Sequence, residues 1–434
     1  MSRCDIVIIG GGFCGLMTAA NAVKLARKRL TIVWADAGGR FARGTAYSTT
    51  ETSHLLNVVA GRMSAWPDAA GDFLRWLAPR HPSYSAHSYV PRMIYGDYLT
   101  EINSTMAPRA NIRTVSIAAT AARYTENGYR VEFADGTYAE SPCLVLATGN
   151  PPSPDPKWPE TEQFVTDFWR WRLAGGKMPK AANDEPIVVI TGTGLTAVDA
   201  IISLRNDGYA GRILAVSPHG TLPQVHASAP AGHDDYAKFV AELKARPAAL
   251  SYFQAFRKNL GDGTRWRELI ESVRGQTPAL WQALGEREKA RFSRHLLSAW
   301  NNHRHRMAPE IAARLTQDKN LSVMAGRVVA AAPDGTISVR ARGDDGVWNF
   351  RADMLINCTG AGLRTLTTDN PVLADLRKQG LIQPGPLRLG IASPRTKGLF
   401  ALGTPLTGER LETVAVPELR SQAADVAEVI TRII

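Results

Sequence analysis

A glycine-rich turn near the N-terminus has the spacing of a phosphate-binding loop. Residues 10–15 read G-G-G-F-C-G and fit the pattern G-x-G-x-x-G, directly after the apolar run 4–9. Gly10 permits the tight turn at the end of a strand, Gly12 lets the backbone approach a pyrophosphate, and Gly15 lets the next helix pack on the sheet. The N-terminus of that helix presents free N–H groups to the phosphates. The turn therefore predicts a dinucleotide site.

An acidic residue stands at the distance that such a site requires. Asp36 follows the predicted strand 30–35 and comes 21 residues after Gly15, so its carboxylate can accept hydrogen bonds from a ribose. A surface aspartate behind a chance glycine turn is the alternative, but strand, turn, helix and acid occur together in the required order. We therefore predict dinucleotide binding here, with Phe13 and Cys14 at the start of the helix beside the ligand.

A second turn of the same kind occurs in the middle of the chain. Residues 192–197 read G-T-G-L-T-A and fit G-x-G-x-x-A between a predicted strand and a predicted helix. Gly192 and Gly194 have the same roles as in the first turn, and Ala197 is small enough for close helix packing. A turn that supports the fold and binds nothing is the alternative, because motif matches include false positives.

The residues after the next strand bear on which nicotinamide the second turn prefers. That strand, 213–217, ends at Ser217 and is followed by His219, with no acid to hold a 2′-hydroxyl group and no adjacent arginine. Ser217 and His219 could face a 2′-phosphate, so the sequence favours NADPH over NADH only weakly.

The order of the two turns indicates which ligand each one holds. In flavoproteins with two dinucleotide sites the first site usually holds FAD, and residues 144–149 (LVLATG) look like the strand and turn that pass beneath that cofactor. Residues 357–360 (NCTG) look like a second copy. We therefore predict FAD at the first turn and NADPH or NADH at the second. The predicted FAD-binding residues are Gly10, Gly12, Phe13, Cys14, Gly15, Asp36, Asn57, Thr148, Gly149 and Gly403, and the predicted nicotinamide-binding residues are Gly192, Gly194 and Ala197.

The pattern of elements around these turns predicts an α/β fold with two Rossmann-type dinucleotide-binding units and a helical insert. A chain of 434 residues is too long for one ordinary core. We expect a discontinuous FAD-binding domain over residues 1–160 and 320–434, and a nicotinamide-binding unit over 185–320 whose helical insert spans about 225–315. Segment 37–105 reads as irregular, because several prolines interrupt it.

Composition and charge limit the expected partners. The net charge of +11 and the pI of about 9.6 could indicate nucleic-acid binding, but no long run of like charges accompanies them, so anionic small ligands explain the charge better. No apolar stretch reaches the ~18 residues of a membrane span, and the start of the chain lacks the long apolar run of a secretory signal. We expect a cytoplasmic protein with no nucleic-acid or membrane partner.

The cysteines give no sign of a disulfide framework. Cys4, Cys14, Cys143 and Cys358 are the four cysteines of the chain, and no two of them form a C-x-x-C pair. Disulfides are rare at this density in an intracellular protein. The missing pair also argues against a dithiol flavin reductase of the thioredoxin reductase type.

Several longer segments resemble one known family. They are residues 44–48 (GTAYS), 54–58 (HLLNV), 90–92 (VPR) with Tyr95 and Gly96, 192–199 (GTGLTAVD), 291–295 (RFSRH) with Trp300 and 303–309 (HRHRMAP), and 412–420. On these segments the chain resembles a bacterial family of FAD/NAD(P)-binding oxidoreductases that is similar in plan to flavin monooxygenases and includes urate hydroxylases and amino-acid N-hydroxylases. The resemblance implies FAD as cofactor and a reduced nicotinamide as electron donor. Residues 217–219 depart from it, because relatives often carry Ser-Arg-Arg where this chain has Ser-Pro-His.

Histidines and arginines cluster in the helical insert, where they could bind a metal or an anion. His303 and His305 are two residues apart, so on a helix they point ~200° apart and cannot share an ion, and His295 does not complete a set. We predict no metal site. Arg304 and Arg306 could instead offer planar guanidinium groups to a carboxylate or a urate-like anion. A solvated basic face is the alternative.

Together these features predict an FAD-dependent, NAD(P)H-consuming monooxygenase. It would hydroxylate a small, polar, nitrogen-containing and anionic substrate, a urate-like purine or an amino acid, through a flavin hydroperoxide. The alternatives are a flavin-dependent dehydrogenase or reductase without oxygen insertion and a non-catalytic FAD-binding protein. Spacing alone identifies no acid or base catalyst, and the sequence leaves the oligomeric state open.

Overall fold

Parallel β-sheets built around the two glycine turns form the body of the molecule. The computed structural model describes residues 2–178, 185–227, 236–364 and 366–434. Along these residues the strands are β1 (Ser2–Arg3), β2 (Ile6–Ile9), β3 (Leu30–Ala35), β4 (Ala110–Val115), β5 (Ala119–Thr125), β6 (Gly128–Phe133), β7 (Tyr138–Ser141), β8 (Cys143–Leu146), β9 (Phe164–Val165), β10 (Ile187–Thr191), β11 (Arg212–Ser217), β12 (Leu321–Ala331), β13 (Thr336–Ala341), β14 (Trp348–Arg351), β15 (Met354–Asn357) and β16 (Leu399–Ala401). The α-helices are α1 (Phe13–Leu25), α2 (Gly44–Tyr47), α3 (Asp72–Arg80), α4 (Arg92–Met106), α5 (Phe168–Leu173), α6 (Leu195–Asn206), α7 (Tyr236–Ala245), α8 (Ala249–Asn259), α9 (Trp266–Val273), α10 (Thr277–Ala283), α11 (Glu286–His295), α12 (Leu297–Arg304), α13 (Pro309–Gln317), α14 (Leu366–Asp369), α15 (Pro371–Lys378), α16 (Thr407–Arg410) and α17 (Val416–Ile433).

The first sheet holds the first glycine turn. Its strand order is β16-β8-β2-β3-β4, and all of its strand pairs are parallel. The central strand β2 is apolar throughout because both of its faces are covered: Ile6 and Ile8 belong to one core, and Val7 belongs to another. Helices α1 and α17 pack on the Ile6 side, and Ala19 and Ala423 in that core keep the two helices close. The predicted α/β class is confirmed.

The second sheet holds the second glycine turn and is larger than predicted. Its order is β14-β13-β12-β11-β10-β15-β9, with β10 parallel to β11 and β15. Residues 321–357 therefore belong to the second unit, and the expected return to the FAD-binding domain at about 320 is wrong. Strand β9, Phe164–Val165, also joins this sheet, beside β15. The local pattern identifies these strands, but it does not specify which distant strand each one pairs with.

Two helices occupy the segment that was expected to be irregular. Helix α3 contains Pro79 inside its last turn, and α4 begins directly after Pro91. In α4 the buried side chains include Tyr95, Leu99 and Ile102, which recur at helical spacing and make one apolar face. That periodicity was present in the sequence, so the expectation of an irregular segment is wrong here.

Helices α7 to α12 form a helical insert with a core of its own. This core contains Phe239, Tyr252, Leu269, Trp281 and Phe292, and the helical character of the insert is confirmed. Residues 228–235, which fall inside the predicted insert, lie outside the described residues. Among the described helices, none has the length and apolar character to cross a membrane.

Candidate active site

The first glycine turn is shaped by close backbone contacts on one side and open space on the other. Gly10 has φ +117°, and a Cβ atom there would lie 2.0 Å from the carbonyl oxygen of Ala147. A Cβ atom at Gly15 would lie 2.2 Å from the carbonyl oxygen of Gly10. At Gly12, in contrast, the nearest atom to an added Cβ would be the Cα of Gly44, 3.6 Å away. Gly10 and Gly15 are therefore required by the fold, whereas Gly12 leaves room above the turn.

Asp36 at the end of β3 holds this turn in place. Its Oδ2 accepts a hydrogen bond from the Gly11 N–H at 2.8 Å, and its Oδ1 accepts one from the Gly38 N–H at 3.0 Å. The side chain is half-buried, and a carboxylate has about four lone-pair positions. Asp36 can therefore brace the turn and still accept a ribose hydroxyl.

The end of β8 supplies a second observation that fits a bound cofactor. The Thr148 Oγ1 is buried and has no hydrogen-bond partner among the described residues, which is costly unless a ligand or water completes it. Gly149 follows with φ +65° and has no atom within 4 Å of an added Cβ. Room at Gly12 and Gly149 and the unpaired Thr148 hydroxyl are what an FAD molecule on this turn would require, so the residues fit the cofactor.

The second turn repeats the first in detail. Gly192 has φ +95°, and a Cβ atom there would lie 2.4 Å from the carbonyl oxygen of Cys358. Thr191 and Asn357 are paired in register across β10 and β15, as Ile9 and Leu146 are across β2 and β8. The sequence interpretation of 357–360 as a second copy of the strand and turn at 144–149 agrees with this register.

Space for a ligand also exists at the second turn. An added Cβ at Gly194 would have no atom within 4 Å, and Ala197 is fully buried in α6. The hydroxyl of Thr193 is already used, since it donates to the Thr221 carbonyl oxygen at 2.7 Å and lies 2.8 Å from Ser217 Oγ, from which it accepts. Nicotinamide binding at Gly192, Gly194 and Ala197 stays a prediction.

An arginine that is distant in sequence lies beside the loop after β11. The Nη1 of Arg342 donates to the Nδ1 of His219 at 3.2 Å, although 123 residues separate them. Among the described residues, Arg342 has no carboxylate partner. The sequence showed no arginine next to Ser217 because the hairpin of β12 and β13, which delivers Arg342, lies a hundred residues further along.

A buried ion pair joins the first unit to the second. Arg92, at the start of α4, makes a bidentate contact with Asp199 of α6, with Nη1–Oδ2 and Nη2–Oδ1 distances of 2.8 and 3.2 Å. Both side chains are 11% exposed. The Nε of Arg92 also donates to the Leu55 carbonyl oxygen at 3.0 Å. Three of the segments that carry the family resemblance therefore meet at this contact.

A buried histidine makes a second connection between the units. The Nε2 of His54 contacts Ser203 Oγ of α6 at 2.9 Å, and its Nδ1 contacts Thr49 Oγ1 at 2.7 Å. Ser203 Oγ in turn donates to Glu51 at 2.8 Å. Burial lowers the pKa of His54, so the ring is neutral, with Nε2 as donor and Nδ1 as acceptor. We call the Arg92–Asp199 pair and this histidine network the interdomain clamp.

A large cavity lies where the two units and the insert meet. Its volume is about 810 Å³. The wall is made by residues after the first turn, by the start of α6, and by the end of α12 with the residues that follow it. These include Thr45, Tyr47, Asn57, Asn150, Leu195, Thr196, Asp199, His226, Arg304, His305 and Arg306. The predicted residues Asn57, Arg304 and Arg306 are thus brought together, whereas His295 and Arg294 do not line this cavity.

The insert side of the cavity is a network of paired charges, here named the charged wall. It consists of Arg62, Glu271, Arg274, Arg304, Arg306, Glu412 and Glu418. Arg304 lies 3.2 Å from both Glu412 and Glu418, and Arg306 pairs with Glu271. Glu412 and Glu418 pair with these arginines without lining the cavity, whereas Glu271 and Glu310 line it, so the cavity presents both cationic and anionic groups.

This pairing changes the interpretation of the two predicted substrate-binding residues. Arg304 is 6% exposed and Arg306 is 3% exposed, and each already has a carboxylate partner. The expected alternative of a solvated basic face is therefore wrong for both. Burial opposes ionisation of Glu271, but Arg306 and Arg62 outweigh it, and its pKa is lowered. Anion binding by Arg304 and Arg306 stays a prediction, to be weighed against a structural role.

His226 is a cavity residue that the sequence did not single out. Its Nε2 lies 2.8 Å from the carbonyl oxygen of Asn57, and since a carbonyl only accepts, Nε2 carries the proton and Nδ1 is an acceptor. Burial, with Arg306 nearby, lowers the pKa of His226 to about 4. The side chain therefore presents a neutral acceptor near the predicted FAD-binding residue Asn57. A lone histidine outside any motif carries no sequence signal.

The remaining predicted residues, Phe13, Cys14 and Gly403, pack at the start of α1. Phe13 is buried in the first core, and Gly403 has φ +71°, with an added Cβ 3.1 Å from the Cys14 sulfur. Burial raises the pKa of Cys14 to about 12, so the thiol is protonated. The side chains of Phe13 and Cys14 thus contribute to packing at the helix that would face the cofactor.

Comparison with known proteins agrees with this geometry. Residues 7–151 match a family model described as FAD-NAD(P)-binding. No curated protein matches the sequence.

Solved structures match the whole fold at low sequence identity. The ornithine N-hydroxylase of Kutzneria sp. 744 is 15% identical, with 99% of each chain covered and a TM-score of 0.68. The cadaverine monooxygenase of the desferrioxamine pathway of Erwinia amylovora is 14% identical, with 100% of this chain and 95% of that chain covered and a TM-score of 0.64. A bacillithiol disulfide reductase from Staphylococcus aureus is 13% identical, with 99% and 98% covered and a TM-score of 0.56.

These structures share one fold and catalyse different reactions, so the likeness defines the architecture and not the chemistry. The family model covers the first glycine turn, Asp36 and the 144–149 segment. Residues 7–151 therefore form an FAD-NAD(P)-binding domain, and the chain as a whole has the fold of the flavin-dependent oxidoreductases with two dinucleotide-binding units.

Proposed function

We propose that this chain is an FAD-dependent, NAD(P)H-consuming monooxygenase of a small, polar, nitrogen-containing substrate. One observation carries the proposal: a single cavity of about 810 Å³ is lined by residues of the first unit such as Tyr47 and Asn57, by Leu195 and Thr196 of the second turn, and by Arg304 to Arg306 at the end of the helical insert. Clefts between domains are common sites for small molecules. When bound, FAD supplies hydride acceptance from the nicotinamide and electron delivery to oxygen.

The residues of this chain would bind and orient the reactants. The turn 10–15, Asp36 and Thr148 would hold FAD, and the turn 192–197 would hold the nicotinamide. The interdomain clamp would keep the two sites in register. The charged wall and the insert helices would exclude bulk water from the cavity, which favours transfer of oxygen to substrate over its release.

The chemistry of the charged wall favours an amino acid or a small amine over a urate-like purine. Its arginines, together with Glu271 and Glu310, offer both cationic and anionic partners to a molecule in the cavity. A zwitterion or a cationic amine with a polar second group can use both kinds of partner, whereas the urate monoanion uses only one. The structurally similar proteins from Kutzneria and Erwinia act on ornithine and cadaverine, which also supports this class.

A screen of amines, amino acids and purines for stimulation of NADPH oxidation tests the proposal. We expect an amine or amino acid to raise the rate, with oxygen consumed in equal amount and a product heavier by one oxygen atom. The Gly12→Val protein is the matched control, because it should fold without FAD. Stimulation without any oxygenated product would contradict the monooxygenase assignment.

A disulfide-type reductase is a second candidate, because the S. aureus neighbour has this fold and Cys14 lies at the start of the FAD-turn helix. The raised pKa of Cys14 disfavours a thiolate. We expect Cys14→Ala to keep substrate-stimulated NADPH oxidation. Loss of turnover with FAD content retained would instead support thiol chemistry.

A further inference from the structure

A second cavity lies in the helical insert, separate from the one where the two units and the insert meet. Its volume is about 230 Å³. Helices α8 to α12 contribute its wall, which is largely aromatic and includes Tyr252, Phe256, Trp266, Trp281, Phe292 and Trp300. The cavity is partly open to solvent, since Phe253 and Ala299 in its wall are exposed. An open apolar cavity of this size is a feature that needs an explanation.

Most polar groups in this wall are already used by the protein. Tyr252 Oη donates to the Leu280 carbonyl oxygen at 2.9 Å, Trp281 Nε1 to that of Gly408 at 2.8 Å, and Trp300 Nε1 to Glu412 Oε1 at 2.9 Å. These side chains turn their apolar surfaces to the cavity. Water would find few partners there, so the interior suits an apolar molecule.

Two polar atoms at one end of the cavity are free to meet a ligand. The Nδ1 of His303 donates to the Ala299 carbonyl oxygen at 2.7 Å, which leaves Nε2 as an acceptor. Within the described part of the chain, neither that Nε2 nor the Nε1 of Trp266 has a hydrogen-bond partner. The two rings touch edge to face, with centroids 4.8 Å apart. Both side chains are partly exposed and both line the cavity, so they offer one acceptor and one donor at the edge of an otherwise apolar wall.

We propose that this cavity binds a small planar aromatic molecule with one or two hydrogen-bonding groups, the chemistry of an indole or a phenol. An apolar cavity of about 150 Å³ accepts benzene, and the larger volume here suits a fused bicyclic ring. Aromatic walls favour an aromatic guest through edge-to-face and offset contacts. An N–H or O–H group on the guest would donate to His303 Nε2.

The site is distinct from the proposed reaction site, although helix α9 borders both. Ile270 and Val273 of α9 face the apolar cavity, whereas Glu271 and Arg274 line the other one. The proposal does not depend on the monooxygenase assignment, and binding can be measured without turnover.

Calorimetric titration with indole and 1-methylindole on the FAD-loaded protein tests the proposal. The two probes have nearly the same shape, but only indole carries an N–H. We expect both to bind and indole to bind more tightly, by about two- to tenfold for one hydrogen bond. His303→Leu should remove that preference and leave 1-methylindole binding unchanged.

A substitution that covers the cavity provides a second test of the proposal. Ala299 lines the cavity at an exposed position of α12, so we expect the ring of Ala299→Phe to cover the cavity, and Ala283→Phe on the exposed face of α10, outside the cavity, is its control. We expect Ala299→Phe to abolish binding of both probes, with FAD content and melting temperature kept, and Ala283→Phe to bind normally. Absence of binding to the wild-type protein at millimolar probe, or equal binding by wild type and Ala299→Phe, would overturn the proposal.

Discussion

Two glycines of the first turn have opposite surroundings, and their substitution separates folding from cofactor binding. An added Cβ at Gly12 has its nearest neighbour 3.6 Å away, whereas one at Gly10 would lie 2.0 Å from a backbone oxygen. We expect Gly12→Val to fold with the melting temperature of FAD-free wild-type protein and to lack FAD, because the side chain fills the space for the pyrophosphate. Gly10→Ala should lose stability itself. Flavin absorbance per protein and thermal unfolding measure both effects, and a folded Gly12→Val protein with full FAD would contradict this assignment.

Arg304 is the residue for which structural and substrate-binding roles are most clearly separable. Its removal would leave Glu412, 2% exposed, without its 3.2 Å partner. Breaking a buried ion pair in this way typically costs about 3–5 kcal/mol. We therefore expect Arg304→Ala to lower the free energy of unfolding by that order, as measured in urea.

Arg294→Ala is the control for Arg304, since Arg294 is exposed and outside both cavities. It should leave stability and KM unchanged. If Arg304→Ala keeps its stability and raises only the substrate KM, the anion-binding role predicted from the sequence is the correct one.

At the scale of elements, the hairpin of β12 and β13 brings an arginine to the loop after β11, whose own sequence contains none. Arg342 reaches His219 at 3.2 Å, beside the strand end where a 2′-phosphate would lie in a Rossmann-type unit. We expect Arg342→Ala to weaken NADP⁺ binding by about tenfold to more than a hundredfold, the loss of one charge-assisted contact. NAD⁺ binding should not change.

Fluorescence titration with the two oxidised nicotinamides measures this preference. Arg351→Ala is the matched control, because Arg351 is an exposed arginine of the neighbouring strand β14. An equal loss of NADP⁺ affinity in both variants would show that the effect comes from the overall charge of the surface and not from a contact made by Arg342. A wild-type preference for NADH would contradict the argument.

Local patterns predict some of these elements and miss others for one physical reason. The strand, turn and helix around Gly10 lie within about 25 consecutive residues, so their spacing is visible in the sequence. The pairing of Arg92 with Asp199 spans 107 residues and that of β15 with β10 spans 166. Such contacts follow from packing of the whole chain, which single-sequence periodicity does not contain. The extension of the second sheet over residues 321–357 and the position of His226 were therefore missed, while both turns were found.

At the scale of the whole molecule, His226 links stability to pH. Its pKa is about 4 in the folded protein, against an ordinary value of 6.5. Below pH 6.5 the unfolded chain takes up a proton that the folded protein does not accept until about pH 4. Acidification across this window therefore favours unfolding, and above it the histidine has no effect.

We expect wild type to lose about 1–3 kcal/mol more stability than His226→Gln between pH 6.5 and 4. Glutamine can keep the donor to the Asn57 carbonyl and does not titrate. Arg306, Arg304 and Glu271 are the charges that act on this ring, and they are the same in both proteins. Urea unfolding at successive pH values measures the difference, and parallel pH curves would exclude His226 as its source.

The interdomain clamp has a consequence for the timing of electron transfer. Rotation of one unit relative to the other would separate Arg92 from Asp199, whose side chains are both 11% exposed. It would also break the hydrogen bond between His54 and Ser203. Such a rotation would break the bidentate, charge-assisted hydrogen bonds of the ion pair, which opposes it. We therefore expect the crevice between the units to be assembled before the nicotinamide binds, so that no domain rotation is needed to bring donor and acceptor together.

The rate of flavin reduction at saturating NADPH should then not change when glycerol or sucrose is added. Stopped-flow traces recorded across a range of solvent viscosities should superimpose.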